Sequence, residues 1–105
     1  MWLKSTITIA NGQTDSPEFD LQSVFPCSKL TLTFFPPGTL PESVTVKVAP
    51  VLGGTYVPLQ SGGSNYTVPA AKASMVPVVA AGLKLSAGSA VGADRVFTVM
   101  AARSE

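Results

Sequence analysis

The chain has 105 residues, a formal net charge of +1 and 12% charged residues, about half the usual ~25% share. No run of Lys or Arg is available to displace phosphate counterions, so nucleic-acid binding is not expected, and low charge with 46% hydrophobic residues is the reverse of the disordered composition. His is absent and Cys27 is the one cysteine, which removes the commonest general base and metal ligand and excludes an internal disulfide or a Cys-rich zinc site.

In chain order, Ser5–Ile9 alternates with period two and predicts a strand with Ile7 and Ile9 on one face and Thr6 and Thr8 on the other. The dipeptide Asn11-Gly12 follows as a turn. Glu18–Gln22 repeats the alternation with Phe19 and Leu21 inward. Lys29–Phe34 is the cleanest case, with Leu30, Leu32 and Phe34 on one side, and it is stopped by Phe35-Pro36-Pro37-Gly38 because proline cannot donate to a ladder. Ser43–Val48 places Val44, Val46 and Val48 inward and Thr45 and Lys47 toward water. Val51–Leu59 reads as the end of a strand, a Gly53-Gly54 turn and a short second strand. Gln60–Asn65 is a second turn cluster around Gly62-Gly63, since tight turns between twisted strands need positive φ.

Tyr66-Thr67-Val68 predicts another short strand. Pro69–Met75 is Ala-rich enough for one helical turn, and Val76-Pro77-Val78-Val79 is expected to run extended along the rim. Gly82–Ser86 points Leu83 and Leu85 inward, Ala87–Ala93 reads as a flexible loop, and Arg95–Met100 is the last strand, with Phe97 and Val99 in the core. Ala101–Glu105 is expected to fray. Seven to nine short strands at intervals of ~8–12 residues predict an all-β fold: an antiparallel β-sandwich or barrel-like domain spanning 1–105. Met1–Thr6 lacks the basic start and apolar run of a secretory signal, and no stretch reaches the ~18–20 apolar residues of a membrane span. The expectation is a chain made inside the cell and not membrane-bound.

No catalytic, cofactor-binding or metal-binding residue is assigned, and the chain is read as not an enzyme. Cys27 has no histidine to activate it and reads as a small buried residue. Asp15, Glu18 and Asp20 form the acidic cluster, but no Ca²⁺ loop pattern accompanies them, and Glu18 and Asp20 share the solvent face of a strand. The Gly-Gly pairs lack the helix and Lys-Ser/Thr pair of a phosphate loop and read as hairpin turns. Tyr56 and Tyr66, close to turns, could stack a sugar ring, which supplies the alternative of a carbohydrate-binding or host-recognition module. Trp2 is a large aromatic at a terminus and suits an anchor in an interface. Together with Leu3, Phe35, Met75 and Val76 it forms the expected partner-binding set; Met75–Gly82 is a long uncharged stretch.

The segment 82–99 (Gly-Leu-Lys-Leu-Ser-Ala-Gly-Ser-Ala-Val-Gly-Ala-Asp-Arg-Val-Phe-Thr-Val) joins a hydrophobic strand, a Ser/Ala/Gly loop, an Ala-Asp-Arg corner and a Phe-containing final strand. In this it resembles small virion proteins of tailed bacteriophages, of the capsid decoration (cement) type. The resemblance implies a structural β-domain that binds the major capsid protein and copies of itself, with a trimer at local threefold positions fitting the usual closed symmetry. It further implies residence in the virion after assembly in the host cytoplasm. Head–tail and tail accessory proteins share the style and are the related alternative.

Overall fold

The computed structural model describes residues 2–23, 29–38 and 40–103, with Trp2 described by its backbone alone. The alternating segments become strands: β1 (Trp2–Ile9), β2 (Phe19–Asp20), β3 (Leu30–Phe35), β4 (Val44–Ala49), β5 (Val57–Pro58), β6 (Gln60–Ser61), β7 (Ser64–Asn65), β8 (Thr67–Val68), β9 (Ser74–Val78), β10 (Gly82–Ala87) and β11 (Arg95–Arg103). All pairings are antiparallel. One sheet has the order β1-β11-β3-β9; the other has β2-β10-β4-β5, with β8 also on β4; β6 and β7 form a small hairpin of their own. The fold is all-β and sandwich-like, with no helix among the described residues.

The core follows from the alternation. In the four-stranded sheet, Ile7 lies opposite Phe97, Phe34 opposite Val99, and Leu32 between Ala101 and Val76. Each of these is buried, and so are Val46, Leu83 and Leu85 of the facing sheet. Pro77 is tolerated because β9 is an edge strand, paired on one side only.

The second sheet is finished by loops. Residues 14–21 run along the free side of β10: the Ala87 amide donates to the Thr14 carbonyl (2.7 Å), the Ser16 amide to the Leu85 carbonyl (2.9 Å) and the Leu21 amide to the Ala81 carbonyl (3.0 Å). Ser16 is buried; its hydroxyl accepts the Leu85 amide at 2.9 Å and donates to the Pro17 carbonyl at 3.0 Å, so the polar group is satisfied where it sits. On the other side, β5 and β8 act as one edge strand of β4 split by an excursion. The Leu59 amide donates to Val46, the Val46 amide to Tyr66 and the Tyr66 amide to Leu59, closing the base from which the β6–β7 hairpin projects. Its turn residues Gly62 (φ 64°) and Gly63 (φ 86°) both take the left-handed conformation that a two-residue hairpin turn needs.

The eleven strands exceed the seven to nine expected because this split divides residues 57–68 into four two-residue pieces. Other expectations are corrected. Glu18–Gln22 contributes only Phe19–Asp20 as strand, although Leu21 is buried. Pro69–Met75 forms no helical turn; Ala71 takes φ 60° and β9 begins at Ser74. The Ala87–Ala93 loop is pinned: Val91 is buried, its amide donates to the Gln13 carbonyl (3.0 Å) and its carbonyl accepts the Gly12 amide (2.8 Å). Residues 101–103 continue β11, with Ala101 buried. Lys47 points outward as expected but is half-buried. The assignments made to Cys27 and the Trp2 side chain fall outside the described residues.

Phe34 and Phe97 are the largest fully buried side chains. Phe34→Ala is expected to lose about 3–5 kcal/mol in urea unfolding, whereas Thr33→Ala, on the other face of β3, is expected to stay within about 0.5 kcal/mol. Equal effects at the two positions would show that the inward face is misassigned.

Candidate interaction surfaces

The outward positions of the four-stranded sheet form an almost uncharged face. Its rows across the strands are Lys4, Met100, Thr33 and Met75, then Thr6, Thr98 and Phe35. Lys4 is the one charged residue at these strand positions, with Lys29 exposed just before β3. Met75 is 68% exposed, Val96 46% and Phe35 39%. A shallow depression lies between Lys4, Phe35, Thr98 and Met100.

Of the expected partner-binding set, Phe35 and Met75 fall together on this face. Leu3 is exposed on β1, on the alternate set of positions that carries Ile7 and Ile9 inward further along the strand. The Trp2 backbone pairs with Ala102 at the same end of the sheet. Val76 must be corrected: it is 2% exposed and packs in the core opposite Leu32, because β9 turns alternate residues inward.

The outer side of the second sheet carries a different arrangement. The Glu18 carboxylate accepts the Gly53 amide at 2.7 Å and the Tyr56 hydroxyl, and the Lys84 ammonium lies 4.7 Å from the centre of the Tyr56 ring. The Gly53 amide, then the Tyr56 hydroxyl, hold the Glu18 carboxyl below its usual value against a smaller opposing effect of burial. Burial, and then the bond donated to Glu18, push Tyr56 up to about 12. The cluster latches the Val51–Tyr56 loop across the sheet. Gly82 makes it possible: a Cβ there would meet the Tyr56 hydroxyl at 2.2 Å and Leu52 Cδ2 at 3.2 Å.

The other acids are also committed to ties. Asp15 accepts the Ser86 hydroxyl at 2.7 Å, and Asp20 accepts the amides of Gln22 and Ser23 at 3.0 and 3.1 Å. The acidic cluster thus separates into three acids, each tied to a different part of the fold. The Ala-Asp-Arg corner does similar work: Asp94 accepts the Asn11 amide at 2.8 Å, and Arg95 forks onto Glu42 through contacts of 2.9 and 3.1 Å. The hydrogen bond from Arg95 holds the Glu42 carboxyl below its usual value. Among the described residues no group of three or more His, Cys, Asp or Glu could hold a metal ion.

Neither tyrosine is a free sugar platform. Tyr56 lies over Gly82 with Lys84 on its ring. Tyr66 packs against Phe34, with ring centres 6.2 Å apart, and its hydroxyl donates to Ser74.

Sequence reasoning missed a polar groove of about 280 Å³ beside the hairpin, lined in part by Thr45, Lys47, Asn65 and Ser86. It joins segments distant in sequence, and the one local signal was a lysine among the alternating valines of β4. Comparison of the chain with protein-family models, with curated proteins and with solved structures gives no match.

Gly82→Ala is expected to cost about 1–3 kcal/mol by forcing Tyr56 off Glu18, seen as faster hydrogen exchange at the Gly53 amide. The pH dependence has a definite sign. A carboxyl lowered in the folded state stabilises fully above its unfolded pKa and loses that contribution as pH falls through the folded one. Glu18→Gln should therefore flatten the acid side of the stability profile, leaving the Glu42 part. Tyr56 is raised, so stability falls as pH rises from 10.0 to about 12, and Tyr56→Phe should remove that fall. An unchanged alkaline limb would show that the latch does not form.

Proposed function

We propose that this protein is a non-catalytic structural component of a phage virion, a decoration protein that grips the outside of a capsid shell. The observation that carries the reading is the outward face of the four-stranded sheet, where Phe35, Met75 and Val96 stand exposed beside a single strand charge, Lys4. Such a face loses little hydration free energy of charge when covered, and aromatic and methionine side chains are favoured in interface cores. The edges of the same sheet, β1 and β9, offer backbone groups to a neighbouring strand. On a lattice, many weak contacts of this kind reinforce one another through effective concentration. The partners are the major capsid protein and further copies of this chain. A trimer is the arrangement that matches a local threefold position.

The test is to add the purified protein to tailed-phage capsids assembled without it and to image the product. Symmetric, stoichiometric occupancy is expected, with the four-stranded sheet against the shell. Met75→Asp or Phe35→Asp should weaken binding about tenfold or more while leaving the fold intact. Failure to bind intact capsids overturns the reading.

A further inference from the structure

We infer that the groove beside the β6–β7 hairpin is a binding site for a carboxylate side chain presented by an acidic segment of a protein partner. The inference concerns the face opposite the uncharged sheet and does not depend on the capsid reading.

The five acids among the described residues, Asp15, Glu18, Asp20, Glu42 and Asp94, each accept a hydrogen bond from within the fold. Lys47 has no such tie: it makes no hydrogen bond or ion pair with any described residue. It stands directly opposite Lys84 across the β4–β10 ladder, and like charges placed so are destabilising. Lys84 is compensated by the Tyr56 ring and by Glu18. Lys47 is half-buried and faces an open groove. The nearest uncommitted cation on this sheet is therefore held where an anion would relieve it.

The surroundings suit a carboxylate. Around Lys47 the groove offers the Ser43 and Thr45 hydroxyls and the Asn65 side-chain NH2 as donors, while the Ser86 hydroxyl is already spent on Asp15. One cation with neutral hydrogen-bonding neighbours matches a singly charged carboxylate within a peptide, whose flanking amides also need partners. A phosphate dianion calls for several cations or an arginine fork. Asp15 adjoins Ser86 on the far side of β10, two strand spacings or roughly 10 Å from β4, so the anion is confined to the Lys47–Asn65 half.

The hairpin supplies the wall. Gln60–Asn65 are all exposed and uncharged and add nothing to the core, yet their conformation is set by the two positive-φ glycines and by the Gln60 side-chain bond to Asn65. Ser, Gly and Asn in a fixed loop are the composition of adaptable hydrogen-bonding surfaces.

Titration of the ¹⁵N-labelled intact chain with hexaglutamate, hexaglutamine and inorganic phosphate tests the assignment. Hexaglutamate should shift the amides of Thr45, Lys47, Asn65, Ser86 and Gly88 together, and hexaglutamine should not. Lys47→Gln should weaken the effect about fivefold or more, and Lys72→Gln, at an exposed turn, should leave it unchanged. Asn65→Leu closes the wall from an exposed position and should weaken binding without touching the core. Shifts spread over all surface lysines, insensitivity to Lys47→Gln, or a stronger response to phosphate than to the peptide would each overturn the inference.

Discussion

The register of β11 between β1 and β3 is the constraint on which the rest of the molecule depends. Side chains on a strand alternate, so a slip of one residue would exchange every inward position for an outward one. In the observed register Phe97, Val99 and Ala101 meet Ile7, Phe34 and Leu32. Displaced by one, Thr98 and Met100 would enter the core and Phe97 would leave it. The alternation on β1 and β3 opposes this, because Thr6, Thr8, Thr31 and Thr33 are the outward partners that a slip would drive inward. The same register brings Trp2 opposite Ala102, so the first strand is placed only when the last is present. Such long-range pairing pays its loop-closure entropy before the contacts form, which is the condition for slow folding.

With few charges to deploy, the chain uses them as ties. Glu42 and Arg95 bind the approach to β4 to the start of β11, Asp94 holds the turn after β1, and Glu18 reaches across to the β4–β5 loop. None of these pairs is local in sequence. The loops they fix bury little apolar surface of their own; Val51 and Leu52 of the β4–β5 loop, for example, stay exposed. Val91 is the exception that anchors its own loop by burial. Among the described residues every acid thus accepts a bond from within the fold, whereas Lys47 has no such tie.

This explains which parts were legible in the sequence. Leu30–Phe34 and Val44–Val48 could be read because strand faces differ in polarity at period two, and that signal is local. Gly62-Gly63 could be read because the turn itself demands positive φ. Tyr56 and Tyr66 could not. Their positions near turns suggested exposed rings, but what covers them, Gly82 and Lys84 in one case and Phe34 in the other, arrives from elsewhere in the chain. Val76 was misplaced because an uncharged run was read as one surface, when pairing with β3 alternates it. The three acids looked like a cluster because they are close in sequence, whereas a chain running beside β10 spreads them along the sheet.

The two sheets present opposite solutions to the same scarcity of charge. The outside of the four-stranded sheet has almost none, so it can be covered at little desolvation cost, and its exposed Phe35 and Met75 gain by being covered. The outside of the other sheet keeps Lys47 and Lys84 side by side and satisfies only one of them. An unrelieved cation on a half-buried position is not required by the fold, since a threonine like its neighbour Thr45 would serve the strand as well. A molecule that associates through the first face retains the second for contact with something else, and the chemistry held there sets the sign of the charge which that second contact must bring.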